Sequence, residues 1–239
     1  MMFLYKIYSF CIAIPLFILD TAITAVVSSI GTLFPGGDKV YTSSTRLWGK
    51  FAFWVFLLPV KTKGMERLDP KQSYIFIANH QGYLDILLCY GYLGHSFKWM
   101  MKEYLKKMPI IGWACKNTHQ IFVGDSRSSI QQAVALSEKT LKDGMSMIIF
   151  PEGTRTYNGQ MQEFKRGAFM LANDIELPIV PLTINGSFQF FNRKARSMTW
   201  HPVELTMHHS ISVEERQGKP TKEIMREVFD IINADLWKK

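Results

Sequence analysis

The residues best able to do chemistry are His80 and Asp85, in the run Asn79-His80-Gln81-Gly82-Tyr83-Leu84-Asp85. An imidazole is well matched to proton transfer near neutral pH, and a carboxylate beside it fixes its tautomer and steadies the imidazolium that forms. On one regular helix a five-residue step turns the side chain by roughly 140°, so the two would face apart. For them to meet, His80 must lie on a loop and Asp85 in the first turn of the next helix. The flanks permit this: residues 73–78 read as a buried strand and residues 84–93 as an apolar helix. The pair then sits at the carboxyl end of a strand, where open α/β sheets keep their sites. The plainer alternative is a hydrogen-bonded core histidine and an aspartate that caps a helix.

A second run with chemical potential is Pro151-Glu152-Gly153-Thr154-Arg155, which follows the short apolar strand Met147-Ile148-Ile149-Phe150. A guanidinium placed there can grip a phosphate through two parallel hydrogen bonds, and Gly153 lets the backbone approach a ligand closely. The alternative is a turn closed by a surface Glu-Arg pair. Asn-His-x-x-x-x-Asp followed by Phe-Pro-Glu-Gly-Thr-Arg, each after a strand, resembles the glycerolipid acyltransferases, specifically the 1-acylglycerol-3-phosphate acyltransferases and their lysophospholipid relatives. The likeness covers residues 58–186.

This resemblance implies acyl transfer from a thioester to an alcohol by direct attack, with His80 as base, Asp85 as its partner and no serine nucleophile. It implies Arg155 as the phosphate ligand, Glu152 placing that arginine or the glycerol, and Thr154 as a further donor. Lys102, in Lys102-Glu103-Tyr104-Leu105, resembles a family lysine that helps stabilise the oxyanion. Residues 164–168 and 177–182 match later blocks and read as a helix start and an acyl-channel wall. Two departures stand out. The family's Ile-Phe-Ile-Asp-Arg run is here Ile121-Phe122-Val123-Gly124-Asp125-Ser126-Arg127, which displaces the arginine to Arg127, a phosphate ligand from the start of a helix. Gly82 stands where serine is common, a position that reads as peripheral.

The elements needed to hold these residues follow from periodicity. Strands are predicted at residues 74–78, 121–123, 147–150, 179–184 and 203–208, and helices at 84–93, 128–141, 165–173 and 221–236. That alternation predicts an α/β domain, a mixed sheet with helices on both faces, over residues 61–239. Residues 1–60 form a membrane-associated helical segment. Between Lys6 and Asp38 the only charge is Asp20. A helical pair dipping into one leaflet fits this stretch at least as well as a clean span, and a secretory signal peptide is the alternative. Residues 47–60, rich in tryptophan and phenylalanine, read as an interfacial helix, and Lys61, Lys63 and Arg67 after it as a cluster for anionic headgroups.

A net charge of +8 favours an anionic partner, and the apolar, charge-poor first sixty residues favour a membrane over nucleic acid. Cys11, Cys89 and Cys115 read as buried reduced thiols, and His208-His209 lacks the further ligands of a metal site. No permanently bound cofactor is expected; acyl-CoA or an acyl carrier protein thioester is the co-substrate. The sequence thus reads as a membrane-associated acyltransferase with its catalytic domain on the cytoplasmic face. Its acceptor is a lysophospholipid, foremost the sn-2 hydroxyl of 1-acylglycerol-3-phosphate, giving phosphatidic acid. The alternatives are another lysolipid, an amino-acid lipid, or a noncatalytic lipid-binding protein of the same fold.

Overall fold

The structure, a computed structural model, describes residues 2–124, 126–141, 144–192 and 197–237. Its first helix runs almost unbroken, α1 (Met2–Tyr8) passing through one π turn (Ser9–Ala13) into α2 (Ile14–Gly31). The wide turn lies just before Pro15, whose ring crowds the carbonyl four residues back, so the proline is absorbed without a break. The chain reverses over residues 32–36, where Pro35 and left-handed Gly36 (φ 81°) end the helical path. Helix α3 (Gly37–Val55) then returns alongside. Tyr5 and Tyr8 donate to the carbonyls of Phe56 and Val55 at 2.9 and 2.7 Å. At the other end a β-carbon on Gly31 would overlap Val40. The expected helical pair exists, but its arms are α1–α2 and α3, not two halves of the first apolar stretch.

Seven strands form the main sheet: β1 (Val60–Lys63), β2 (Ile75–Ala78), β3 (Ser96–Lys102), β4 (Ile121–Val123), β5 (Met145–Ile149), β6 (Ile179–Asn185) and, after the small ribbon β7 (Phe191–Asn192) with β8 (Ser197–Met198), β9 (Val203–Met207). The order is β1-β9-β6-β2-β5-β3-β4. Every neighbouring pair is parallel except β6 with β9, which makes the sheet mixed, as predicted. The remaining helices are α4 (Leu84–Tyr92), α5 (Ile111–Asn117), α6 (Arg127–Thr140), α7 (Arg166–Asp174), α8 (Ser187–Phe190), α9 (Val213–Arg216) and α10 (Thr221–Ala234). Alternate side chains of β2 enter two apolar clusters. Phe76 and Ala78 join Phe53 of α3 and Leu84 and Leu88 of α4, while Ile75 and Ile77 join Phe169 of α7 and Val228 and Ile232 of α10. Helices therefore cover both faces.

Three expectations need correction. Residues 47–55 are the end of α3, and one side of them packs in the core rather than the whole segment lying at an interface: Ala52, Phe53 and Val55 are buried, and a β-carbon on Gly49 would strike the backbone of Gly91 in α4. Of the apolar side chains in residues 47–60, Leu47, Trp54 and Leu57 remain exposed. The basic cluster keeps an open side: Lys63 pairs with Glu204 at 2.8 Å and Arg67 donates to the Met207 carbonyl at 3.0 Å, while the Lys61 side chain is 71% exposed. Among the cysteines Cys89 is buried, but Cys11 is exposed. Residues 164 and 179–182 also serve the core: Phe164 packs on Phe169 and Phe229, and Ile179, Val180 and Leu182 are fully buried.

Strand β3 was not expected, because Ser96-Phe97-Lys98-Trp99 carries a lysine where a central strand needs an apolar residue. The Lys98 side chain is 1% exposed, yet its ammonium donates to Asp38 at 2.7 Å and to the Thr118 carbonyl at 3.0 Å, and lies 4.0 Å over the Tyr41 ring. Burial pulls its pKa down, and hydrogen bonding to Asp38 opposes that pull. A buried charge is tolerated when it is paired in this way. The interaction also ties the start of α3 to the sheet.

Candidate active site

His80 lies on the loop after β2 and Asp85 is the second residue of α4, the arrangement their spacing requires. The loop starts from a fixed point: the buried Asn79 amide donates to the Ile184 carbonyl and accepts from the Ile184 amide, at 2.9 and 2.7 Å, which splices the end of β2 to β6. Asp85 is fully buried (0% exposed). Its Oδ2 is 2.6 Å from His80 Nδ1 and accepts the amides of Gln81 and Gly82 at 2.6 and 2.8 Å. A carboxylate only accepts, so Nδ1 carries the proton and the Nε2 lone pair is left to act as base. The first turn of α4 also favours a negative charge there.

Gly82 is therefore not peripheral. Its amide is one of the donors that hold Asp85, and a β-carbon there would press on Ser187, whereas glycine passes freely.

The imidazole is held from its face as well as its edge. It stacks on Phe150 at 3.9 Å between ring centres, nearly parallel (3°), and Phe150 stacks on Trp99 at 5.1 Å. The His80 side chain keeps 14% of its surface exposed, so the base remains accessible.

The Pro-Glu-Gly-Thr-Arg segment grips the same loop. Glu152, expected to place Arg155 or the glycerol, is buried with both carboxylate oxygens occupied: Oε1 accepts the His80 amide at 2.6 Å and Oε2 the Gln162 amide at 2.8 Å. Burial pushes its carboxyl up, the Gln162 and His80 amides pull it down and the charge of Asp85 raises it, with the balance at about 7. The Thr156 amide donates to the His80 carbonyl at 2.9 Å, so the histidine backbone is held on both sides. Gly153 takes the left-handed conformation (φ 69°) that lets the turn close.

Arg155 reaches back over the first motif: its guanidinium lies 3.8 Å above the Tyr83 ring, which packs edge-on against Phe191 at 5.5 Å. Thr154 is exposed, and its hydroxyl makes one long contact, 3.5 Å, to the Arg155 carbonyl. Lys102 ends β3 at the same edge of the sheet, exposed and two strand positions from β2, or about 10 Å. Arg127 opens α6, and its side chain, with all of Asp125, lies outside the described residues. Sequence reasoning assigned no part to Asn79, Tyr83, Phe150 or Thr156. Asn79, Tyr83 and Phe150 stood inside the quoted motifs, and that was the available signal.

A base with a fixed tautomer beside a cation, at the carboxyl edge of a mixed sheet, suits acyl transfer to a hydroxyl. The chain belongs to the acyltransferase family, which it matches over residues 59–185, more than half its length. It is 34% identical over 181 residues to the chloroplastic 1-acyl-sn-glycerol-3-phosphate acyltransferase LPAT1 of Arabidopsis thaliana, covering 74% of this chain and 50% of that protein. The mouse 1-acyl-sn-glycerol-3-phosphate acyltransferase alpha is 31% identical over 156 residues, 64% of this chain and 55% of that one. The chain thus spans about half the length of these curated relatives. In fold it is similar to the crystal structure of PlsC, the 1-acyl-sn-glycerophosphate (LPA) acyltransferase of Thermotoga maritima, with a TM-score of 0.80 at 22% identity over 100% of this chain and 98% of that one.

Proposed function

We infer that the protein moves a fatty acyl group from an acyl thioester to the sn-2 hydroxyl of 1-acylglycerol-3-phosphate, producing phosphatidic acid. The observation that carries this reading is the His80 imidazole, bonded at Nδ1 to a buried Asp85 and stacked on Phe150. The acceptor hydroxyl gives its proton to Nε2 as its oxygen attacks the thioester carbonyl. The tetrahedral oxyanion then collapses, the C–S bond breaks, and the imidazolium returns the proton to the departing thiolate. Asp85 steadies the imidazolium between the two transfers. Arg155 takes the acceptor phosphate, with Thr154 as a further donor at its side, and Lys102 supplies positive charge to the oxyanion. Glu152 acts through the His80 backbone, since neither of its oxygens is open to a ligand. Acyl-CoA and acyl carrier protein are both acidic donors and suit the basic chain equally.

Membrane association is supported by the inverted polarity of α1–α2. The inner face, against α3, carries Ser9, Ala13, Ser28 and Gly31, and Thr21 accepts the Trp48 indole proton at 2.9 Å. Phe3, Phe10, Leu16, Leu19, Ile23, Val26 and Ile30 face outward. A helix that buries small and polar groups and exposes large apolar ones is suited to hydrocarbon on its outer side. Because α3 covers the other side of α2, and Tyr5 and Tyr8 of the first turns bond to the end of α3, the helix is read as lying in one leaflet rather than crossing. The three free cysteines suit a reducing compartment, which supports a cytoplasmic face for the domain.

The rival reading, a noncatalytic lipid-binding protein, leaves the organised His80-Asp85 pair without a purpose. The deciding experiment assays purified protein against lysolipids of different headgroup with both thioester donors. Phosphatidic acid formed preferentially from 1-acylglycerol-3-phosphate supports the proposal, and transfer only to another lysolipid would reassign the acceptor.

A further inference from the structure

Between β3 and β4 the chain leaves the active-site edge of the sheet as a short 3-10 helix (Glu103–Lys107) and then forms α5. Within ten residues this excursion exposes five large apolar side chains: Tyr104, Met108, Ile110, Ile111 and Trp113, with Tyr104 62% and Ile110 64% exposed. Ile110 is the centre of a γ-turn at φ 60°, ψ −62°, closed by the Ile111 amide donating to the Pro109 carbonyl at 2.6 Å. A β-branched residue in that conformation is strained. Four lysines, Lys102, Lys106, Lys107 and Lys116, lie within or beside this run in sequence against a single acid, Glu103, which Lys106 pairs at 3.1 Å. Nothing in the mechanism uses these groups apart from Lys102.

The patch is joined to the apolar helix. Thr32, at the end of α2, donates its hydroxyl to the Asn117 carbonyl at the end of α5 at 2.9 Å, and Leu33 and Phe34 beside it are exposed. Resting on the reading that α1–α2 lies in a leaflet, we propose that residues 104–113 form a second bilayer contact, which dips into the same leaflet at the rim of the active site. The occupant is an anionic lipid surface. Aromatic rings and lysines beside bulky aliphatic groups are the composition of a membrane-water boundary, where the rings sit at headgroup level and the ammonium groups meet lipid phosphates. An acidic carrier protein would also answer the lysines, but it would not account for the continuity with α2. The arrangement gives a lipid acceptor a route to His80 bordered by membrane-inserted elements on two sides.

The test uses the full chain on vesicles of phosphatidylcholine with phosphatidylglycerol, carrying bromine near the top of the acyl chains. Fluorescence quenching is compared between wild type and Trp113→Phe, so that the difference reports residue 113. Co-sedimentation of the same samples reports total binding. The expected result is a quenched Trp113 component that weakens with salt. Ile110→Gly, which relieves the positive φ, combined with Ile111→Ser should lower that quenching. It should also reduce vesicle affinity by roughly tenfold, the scale set by leaving an isoleucine side chain out of hydrocarbon, while activity on a micellar acceptor is retained. Protein that co-sediments with an unquenched Trp113 overturns the second contact and leaves the leaflet reading of α1–α2 intact. Absence of co-sedimentation removes both. Protection of Trp113 by acidic carrier protein but not by lipid makes the patch a protein-docking face and also overturns the proposal.

Discussion

Several side chains of the site are held by neighbours that do no chemistry themselves, His80 by Phe150 and Arg155 by Tyr83, and this is where substitutions discriminate. Tyr83 supports Arg155 from below through its ring face, which is what the pair of substitutions isolates. Tyr83→Leu is expected to raise the KM for the phosphorylated acceptor about three- to tenfold, the range of a cation-π contact, with kcat nearly unchanged. Tyr83→Phe should behave as wild type, and an equal loss in both variants would move the role to the hydroxyl. Glu152 gives a pH signature. Its carboxyl is raised to about 7 in the fold from 4.5, so between these values the folded protein holds a proton that the unfolded chain releases. Its contribution to stability is thus fully present below about pH 4.5, is lost as pH rises through about 7, and stays flat above that. The loss is on the order of 3 kcal/mol at most. Thermal melts at pH 5 and pH 7.5 should show this decline in wild type and a smaller one in Glu152→Gln. The same slope in both proteins would show that Glu152 is ionised throughout.

Among the elements, α3 explains how a sequence legible in its motifs was less legible in its scaffold. The loop position of His80 and the helix-start position of Asp85 follow from spacing alone, and β2, β4, β5, β6 and β9 from apolar runs. Strand β3 was hidden because Lys98 becomes a core residue only once Asp38, sixty residues away, has been folded against it. Likewise, Phe53 of α3 looks interfacial until Gly49 and Gly91 let α3 and α4 approach closely enough to bury it, while Trp54 stays exposed. The stack of His80, Phe150 and Trp99 joins the ends of β2 and β5 to the middle of β3, so no local pattern encodes it. The crossing itself is testable. Gly49→Val would drive a side chain into the Gly91 backbone and should cost about 1 to 3 kcal/mol or more, seen as a lower melting temperature. An unchanged melting temperature would mean that the two helices are not held in contact in solution.

For the whole molecule, the sheet holds the chemistry at one edge, and the proposed second contact sets the outward face of α1–α2 and the exposed patch of residues 104–113 against one lipid surface. Outward substitutions should therefore separate binding from folding. Ile23→Asp and Ile30→Asp are each expected to weaken vesicle association by about tenfold or more, since aspartate is among the costliest residues to place in hydrocarbon. Their melting temperatures in detergent should stay close to wild type. If these variants melt early instead, the outer face is packed against protein and the leaflet reading fails.

The most direct test of the central claim is phosphatidic acid formation from 1-acylglycerol-3-phosphate and an acyl thioester by wild type and by His80→Ala, both shown to be folded and vesicle-bound. The account predicts a turnover about 10² to 10⁴ lower in the variant, the contribution of a positioned general base, with binding to vesicles unchanged. Wild-type turnover in folded His80→Ala protein would contradict it.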